Sequence, residues 1–230
     1  TKDVYNKIGY QDDIEPFVNI EQHSEESAHQ IAKGGAHGTS IVYGYATRQT
    51  REFLPKATVY ANAIAKRIDD LRSTDPRFSI LLPDGKVQIS MEGDHVESVS
   101  LSVQHADDVE CRDVQTLLVE SSVEPIIGKD SGARLFVNSA GKFCHGGFSV
   151  CGGASGRKMI ADTYGGLLPH GGASLSGKDP RRPARCGHYM ARHVAKNLVA
   201  KGVAGNVLVA AGYTIGHADP IFLQVTTGKG

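Results

Sequence analysis

Apolar residues recur every three or four positions in two stretches of the chain, and this spacing predicts two amphipathic helices. The first stretch covers residues 56–73 and the second covers residues 185–201. Gly202 follows the second stretch, as is typical of a helix C-terminus. The apolar stripes consist of Val59, Ala63, Ile64, Ile68 and Leu71 in the first helix and of Met190, Val194, Leu198 and Val199 in the second.

Alternating patterns between these helices predict strands. Residues 87–91 and 99–103 alternate apolar and polar side chains, and Gly93 with Asp94 predicts a turn between them. Residues 107–127 predict a third helix. Residues 1–30 are polar and weakly patterned, and within them residues 22–27 fit a solvated loop or a helix start. Short apolar runs predict further strands at residues 41–45, 78–82, 135–137, 206–215 and 221–225.

This order of elements predicts an α/β (α+β) fold with βαβ-like modules, although no convincing sequence repeat relates them. We expect three parts. Residues 1–52 form part of a first or C-terminal-type domain, and residues 53–145 form a βαβ-type domain. Residues 146–230 combine a glycine-rich, triphosphate-binding segment with the helix-strand unit that follows it.

Composition narrows the classes of function. Lys plus Arg and Asp plus Glu both number 25, so the formal net charge is zero. This balance argues against binding of nucleic acid or anionic lipid through an overall positive charge. No apolar run approaches the ~20 residues that a membrane span needs. The four cysteines form no CxxC pair and the ten histidines no HExxH motif, so we expect free thiols, a cytoplasmic location and no zinc site.

Glycine is enriched, and the excess lies mainly within residues 141–177. Consecutive glycines let backbone N–H groups approach an anion closely, and Lys178 would add a positive charge and Asp179 a ligand for Mg²⁺. Residues 141–180 therefore predict a surface that holds the polyphosphate of a nucleotide. Residues 156–158 (GRK) and 83–86 (PDGK) are further glycine-flanked cations, and the simpler interpretation of each alone is a turn with a solvated lysine.

Several residues in this region allow two interpretations. Residues 172–179 nearly match the P-loop pattern, but Asp179 replaces Ser or Thr and Pro180 delays the helix. Cys151 fits a nucleophile or, more simply, a small core residue. His170 fits a ligand contact or a structural hydrogen bond, and Tyr164 fits core packing. Arg181 and Arg182 fit either a solvated charge pair or a continuation of the cationic surface.

The same residues carry a resemblance to a known family. Residues 156–166 (GRKMIADTYGG), 170–172 (HGG) and 176–180 (SGKDP) closely resemble motifs of the S-adenosylmethionine synthetase (methionine adenosyltransferase) family. Residues 43–47 (YGYAT), 83–88 (PDGKVQ), 102–105 (SVQH), 138–143 (NSAGKF) and 195–197 (AKN) resemble further family segments in the same order.

The resemblance implies a fold of repeated βαββαβ-type domains in a pseudo-threefold arrangement, and a homodimer or homotetramer with its site between subunits. It implies ATP and L-methionine as substrates, Mg²⁺ and K⁺ as cofactors, and release of phosphate and diphosphate. Methionine-binding positions would be Cys151 and Arg182, and no residue is assigned to a metal. Lys86, Arg157, Lys158 and Lys178 would be catalytic by contacting the triphosphate, and the ATP-binding set would add Asp84, Lys142, Phe143 and Ser174.

The chain also departs from the family pattern. The family's N-terminal HPDK segment and its C-terminal portion have no counterpart in the sequence, and its mobile loop matches a shortened stretch near residues 22–34. Gly38, Cys151 and Ala184 stand where the family has aspartates. Two hypotheses therefore stay open: a methionine adenosyltransferase, or a non-catalytic nucleotide-binding homologue that pairs with a complete subunit.

Overall fold

A computed structural model describes residues 1–22, 24–32, 34–150 and 158–228. Its helices are α1 (Lys2–Ile8), α2 (Glu25–Ala32), α3 (Lys56–Thr74), α4 (Cys111–Leu118), α5 (Glu124–Ile127), α6 (Met159–Asp162) and α7 (Pro183–Ala200). Its strands are β1 (Ser40–Thr47), β2 (Leu81–Glu92), β3 (His95–His105), β4 (Arg134–Val137), β5 (Asn206–Tyr213) and β6 (Phe222–Gly228). Short 3₁₀ turns cover Pro76–Phe78 and Gly147–Ser149, and a π-helical turn covers Val119–Val123.

The chain divides into two compact units. The first unit comprises Thr1–Val18 and Ala57–Gly153, and the second comprises Asn19–Lys56 and Ala154–Gly230. Each unit has one three-stranded sheet and its own hydrophobic core. The mixed α/β class predicted from the sequence is confirmed. No helix in the described part of the chain is long and apolar enough to cross a membrane.

In the first unit, β3 is the central strand. It pairs antiparallel with β2 through the predicted turn and parallel with β4, which returns after α4 and α5. The alternating residues of β3 send Val99 and Leu101 inward, where they join residues of α3 and α4 in one buried cluster. This alternation fixes which face of the hairpin meets the helices.

Two predictions in the first unit need correction. The helix expected at residues 107–127 starts at Cys111 and passes through the π-helical turn before α5. Pro125 lacks a backbone N–H and cannot continue the regular ladder, which accounts for the break. The strand expected at residues 78–82 begins only at Leu81, because Asp75 accepts a hydrogen bond from the Arg77 amide and caps a 3₁₀ turn over Pro76–Phe78.

In the second unit, β5 lies between β1 and β6 and pairs antiparallel with both. Helix α7, predicted from its apolar spacing, packs on β1 and β5. The predicted stripe needs correction, because the small residues Ala191 and Ala195 are buried with Val199, whereas Met190 is 57% exposed. The closest approach is at Gly44, where an added Cβ would lie 2.0 Å from the carbonyl carbon of Ala191. This contact holds the middle of α7 close to the sheet. The position of the helix in turn fixes where the preceding loop ends.

Candidate functional site

In the first unit, a bulge in β2 positions two of the predicted site residues. The pairing of β2 with β3 shifts between Leu81 and Gly85, so residues 82–84 bulge outward. The Asp84 amide donates to the side chain of Gln104 at 3.4 Å, and the Gly147 amide donates to Asp84 Oδ2 at 3.0 Å. Asp84 and Lys86 both line a cleft of about 120 Å³ between β2 and α3. The structure thus brings these two predicted residues together.

Asn138 places the segment that carries Lys142 and Phe143. Its backbone is left-handed, with φ of 43°, a conformation that asparagine tolerates better than most residues. Its side-chain amide accepts from the Val103 N–H at 2.9 Å and donates to the Val103 carbonyl at 3.0 Å. The side chain therefore continues the pairing along β3 just beyond the end of β4, and it is buried.

His105 holds Phe143 from the other side. The His105 amide donates to the Phe143 carbonyl at 2.9 Å, and the Phe143 amide approaches His105 Nε2 at 3.2 Å. His105 Nδ1 lies 2.9 Å from the Ala106 carbonyl. These partners assign the donor role to Nδ1 and the acceptor role to Nε2.

Lys142 is directed away from the bulge towards Asp107. Its ammonium donates to the Asp107 backbone carbonyl and lies 3.4 Å from the carboxylate. The Cys144 thiol, 3.5 Å from the same carboxylate, and Lys142 together hold the pKa of Asp107 below its usual range. Burial and the neighbouring Asp107 raise the pKa of the Cys144 thiol. Gln104, His105 and Asn138 occur within the sequence motifs at residues 102–105 and 138–143, but the motifs indicate no role for them in the site.

In the second unit, the glycine-rich loop, residues 171–178, holds Lys178 and Ser174 together. The Lys178 ammonium donates to the Ser174 carbonyl at 2.7 Å and lies 2.9 Å from its hydroxyl. Arg185 of α7 donates to the Lys178 carbonyl at 2.6 Å. Gly171, Gly172 and Gly177 all have positive φ, which glycine adopts without a steric penalty. The loop thus places a cation among three glycines whose positive φ bends the backbone around it.

Asp179 is paired with Arg181. The Arg181 guanidinium contacts both of its oxygens, at 3.0 and 2.9 Å, and the Arg181 amide donates at 2.8 Å. These bonds to Arg181 hold the pKa of the Asp179 carboxyl far below its usual range. Within the described ranges, no three His, Cys, Asp or Glu residues group to hold a metal ion. The described residues thus supply no cluster of such side chains for a protein-built Mg²⁺ site.

The remaining predicted residues differ in how the structure places them. Arg182 is the N-cap residue of α7, and exposed Lys158 is the N-cap residue of α6. Cys151 and Arg157 lie outside the described residues. Of the predicted cations, Lys86 and Lys142 belong to the first unit, and Lys158 and Lys178 belong to the second.

The structure also decides between several of the alternative interpretations. Tyr164 is buried, and its hydroxyl accepts from the Tyr45 amide at 2.8 Å, as a core residue would. His170 accepts a hydrogen bond from the Gly172 amide at 3.0 Å, which is the structural alternative. The P-loop alternative fails, because no strand leads into residues 172–179 within the described stretch from 158 onwards and α7 starts only at Pro183.

Comparison with known proteins agrees with the motifs. The family model described as "S-adenosylmethionine synthetase, central domain" matches residues 33–143, and the one described as "S-adenosylmethionine synthetase, C-terminal domain" matches residues 145–230. An "S-adenosylmethionine synthase" of Petrotoga mobilis is 38% identical over 218 residues, which cover 91% of this chain and 54% of that protein. A protein of the same name from Pseudothermotoga lettingae is 38% identical over 207 residues, covering 86% of this chain and 52% of that protein. The chain thus spans about half the length of these curated relatives.

Proposed function

Because this chain belongs to the S-adenosylmethionine synthetase family, we propose that it forms S-adenosylmethionine from ATP and L-methionine, with release of phosphate and diphosphate. The observation that best supports this function is the glycine-rich loop around Lys178. In the proposed reaction the methionine sulfur attacks C5′ of ATP and the whole triphosphate leaves. Cations aimed at that leaving group stabilise the charge that develops on it.

Lys178 is suited to this role. Two contacts to Ser174 fix its ammonium, and a third N–H is left for a phosphate oxygen. The backbone N–H groups of Gly171 and Gly177 would bind further oxygens. Lys86, Arg157 and Lys158 complete the proposed set of cations around the triphosphate.

The other ligand contacts are proposed from the family motifs. Asp84, Lys142, Phe143 and Ser174 would bind ATP, and Cys151 and Arg182 would bind methionine. In many proteins Mg²⁺ is bound largely by nucleotide phosphates and water. A Mg²⁺ ion held in this way needs no cluster of carboxylates, and the described residues contain none. The proposal therefore assigns no residue to Mg²⁺ or K⁺. We also propose a homodimer or homotetramer with the site between subunits, in the cytoplasm.

The direct test is to incubate the purified chain with ATP, methionine, Mg²⁺ and K⁺ and to measure S-adenosylmethionine by mass spectrometry. Lys178→Ala should abolish product formation, whereas Lys201→Ala, at an exposed position after α7, should retain it. A folded, oligomeric wild-type sample that forms no product would refute the proposed activity for this chain alone.

The second candidate is a non-catalytic nucleotide-binding subunit that pairs with a complete family member. It is favoured by Gly38, Cys151 and Ala184, which stand where the family resemblance expects aspartates. Under this hypothesis the chain binds ATP but forms product only after a full-length partner is added. Product formed by the isolated chain would exclude it.

A further inference from the structure

His188 is a buried histidine of α7, and one of its two ring nitrogens has no partner. The residue is only 4% exposed and belongs to the buried side of the helix. Its Nδ1 lies 3.0 Å from the Tyr43 carbonyl of β1, whereas Nε2 is buried and has no hydrogen-bond partner among the described residues. Buried polar atoms in folded proteins are nearly always hydrogen-bonded, so Nε2 indicates a place for a ligand or a water.

The glycine-rich loop lies next to this histidine. At the start of the loop, an added Cβ on Gly171 would collide with the Ile41 carbonyl oxygen, so the loop abuts the strand that His188 binds. At its end, Arg185 donates to the Lys178 carbonyl at 2.6 Å. Arg185 precedes His188 by three residues, which places both on one side of α7, and its Nε is also buried without a partner among the described residues. Two unpartnered nitrogens thus lie beside the loop.

The titratable and charged groups around His188 come from the loop, from β1 and from α7 itself. They are His170, Lys178, Tyr43, Arg185 and Arg192. Burial lowers the pKa of His188, and the charges of His170 and Lys178 act in the same direction, whereas the bond to the Tyr43 carbonyl opposes them. An anion beside Lys178 would offset these positive charges and favour the protonated ring.

The bond to Tyr43 determines what Nε2 is able to do. The carbonyl is the nearer group, since the Tyr43 amide lies 3.4 Å from Nδ1, and this assigns the donor role to Nδ1. A neutral ring that donates from Nδ1 has only an acceptor at Nε2, whereas a protonated ring donates from both nitrogens. The oxygens of an ionised phosphate accept hydrogen bonds. The protonated ring is therefore the form that keeps Tyr43 and also binds a phosphate.

We infer that His188 is a proton-dependent binding residue for the phosphate chain that Lys178 holds. When the anion binds, Nε2 takes up a proton from solution and donates a hydrogen bond to a phosphate oxygen. The inference rests on the proposed function, since it specifies how the same loop holds its ligand. It predicts that binding of the anion consumes a proton and weakens as the pH rises.

The first experiment follows the protonation of His188 by NMR of the chain with ¹⁵N-labelled histidine, without and with saturating tripolyphosphate. The signal is assigned by its loss in His188→Gln or, if that variant does not fold, in His188→Asn, which keeps a donor near the position of Nδ1. The midpoint of the His188 titration should move to higher pH when tripolyphosphate is bound. The midpoint of His193, an exposed histidine on the same helix, is the control and should not move.

The second experiment measures tripolyphosphate affinity by isothermal titration calorimetry at about pH 7.5 and about pH 6. Tripolyphosphate itself takes up protons in this range, so the comparison is made between variants. The affinity of the wild type should increase about fivefold more than that of His188→Gln as the pH falls, because only the wild type couples binding to a proton at this position. His193→Gln is the matched control and should behave like the wild type.

The outcomes separate this inference from the proposed function. If saturating tripolyphosphate leaves the His188 midpoint unchanged, or if His188→Gln shows the pH dependence of the wild type, the inference is overturned and Nε2 binds only water. The polyphosphate site and the proposed activity would then stand, since Lys178→Ala and product formation test them separately. A wild-type chain that binds no tripolyphosphate would refute both.

Discussion

Replacing Asn138 with glycine tests how the first unit holds its candidate site. Glycine keeps the left-handed backbone, with φ of 43°, and removes both side-chain hydrogen bonds to Val103. The Val103 N–H and carbonyl are buried and would each lose their partner. An unsatisfied buried polar group costs about 1–3 kcal/mol, so we expect the first unit to lose about 2–6 kcal/mol.

The assay is hydrogen exchange measured by mass spectrometry on peptides from β3, which reports the local stability of this unit. Asn138→Ala should cost about 1–2 kcal/mol more than Asn138→Gly, because alanine is strained at positive φ. Ser139→Ala, at the exposed next residue, should change stability by no more than ~0.5 kcal/mol. The reasoning is refuted if the β3 peptides of Asn138→Gly exchange their amide hydrogens as slowly as those of the wild type.

Two further predictions concern the second unit. Gly44→Ala would place a Cβ against the backbone of Ala191, so we expect the local stability of α7 to fall by at least ~1–3 kcal/mol, as measured by hydrogen exchange of α7 peptides. Gly38→Ala, with no atom within 4 Å of the new Cβ, is the control and should leave this stability nearly unchanged. Burial lowers the pKa of His188, with the charges of His170 and Lys178 acting in the same direction, so the unfolded chain takes up a proton that the folded one resists. Stability should therefore fall as the pH drops below about 6.5, and urea titrations at about pH 7.5 and 5.5 should differ less for His188→Gln; an unchanged difference would contradict this assignment.

Local patterns in the sequence determined much of the fold. The periodicity of α3 and α7 and the alternation of β2 and β3 depend on neighbouring residues only, so the patterns predicted these elements. In α7 the buried face was displaced from the predicted stripe, because Ala191 and Ala195 allow closer packing than Met190. Motif resemblance also indicated the family, because the glycine and lysine positions around residues 156–180 are specific as a set. The sequence did not predict α1, whose only buried side chain is Tyr5.

The sequence named both Lys178 and Ser174 as ATP-binding residues, which stays a prediction, and the structure shows that their side chains lie in contact. It predicted Asp179 as a Mg²⁺ ligand, and this stays a prediction; the structure pairs both carboxylate oxygens with Arg181, two residues later. Both aspartate and arginine occur in many exposed turns, so residue type alone does not reveal such a pairing.

Only the tertiary structure decided the partners that lie far apart in the chain. Asn138 bonds Val103 across 35 residues, and Tyr5 binds the Phe148 amide across 143 residues. The sequence states what each side chain is able to donate, accept or stack on. Which partner it contacts depends on which distant segments the tertiary fold brings next to it. Burial then stabilises that pairing, because a buried polar group without a partner raises the free energy of the folded state.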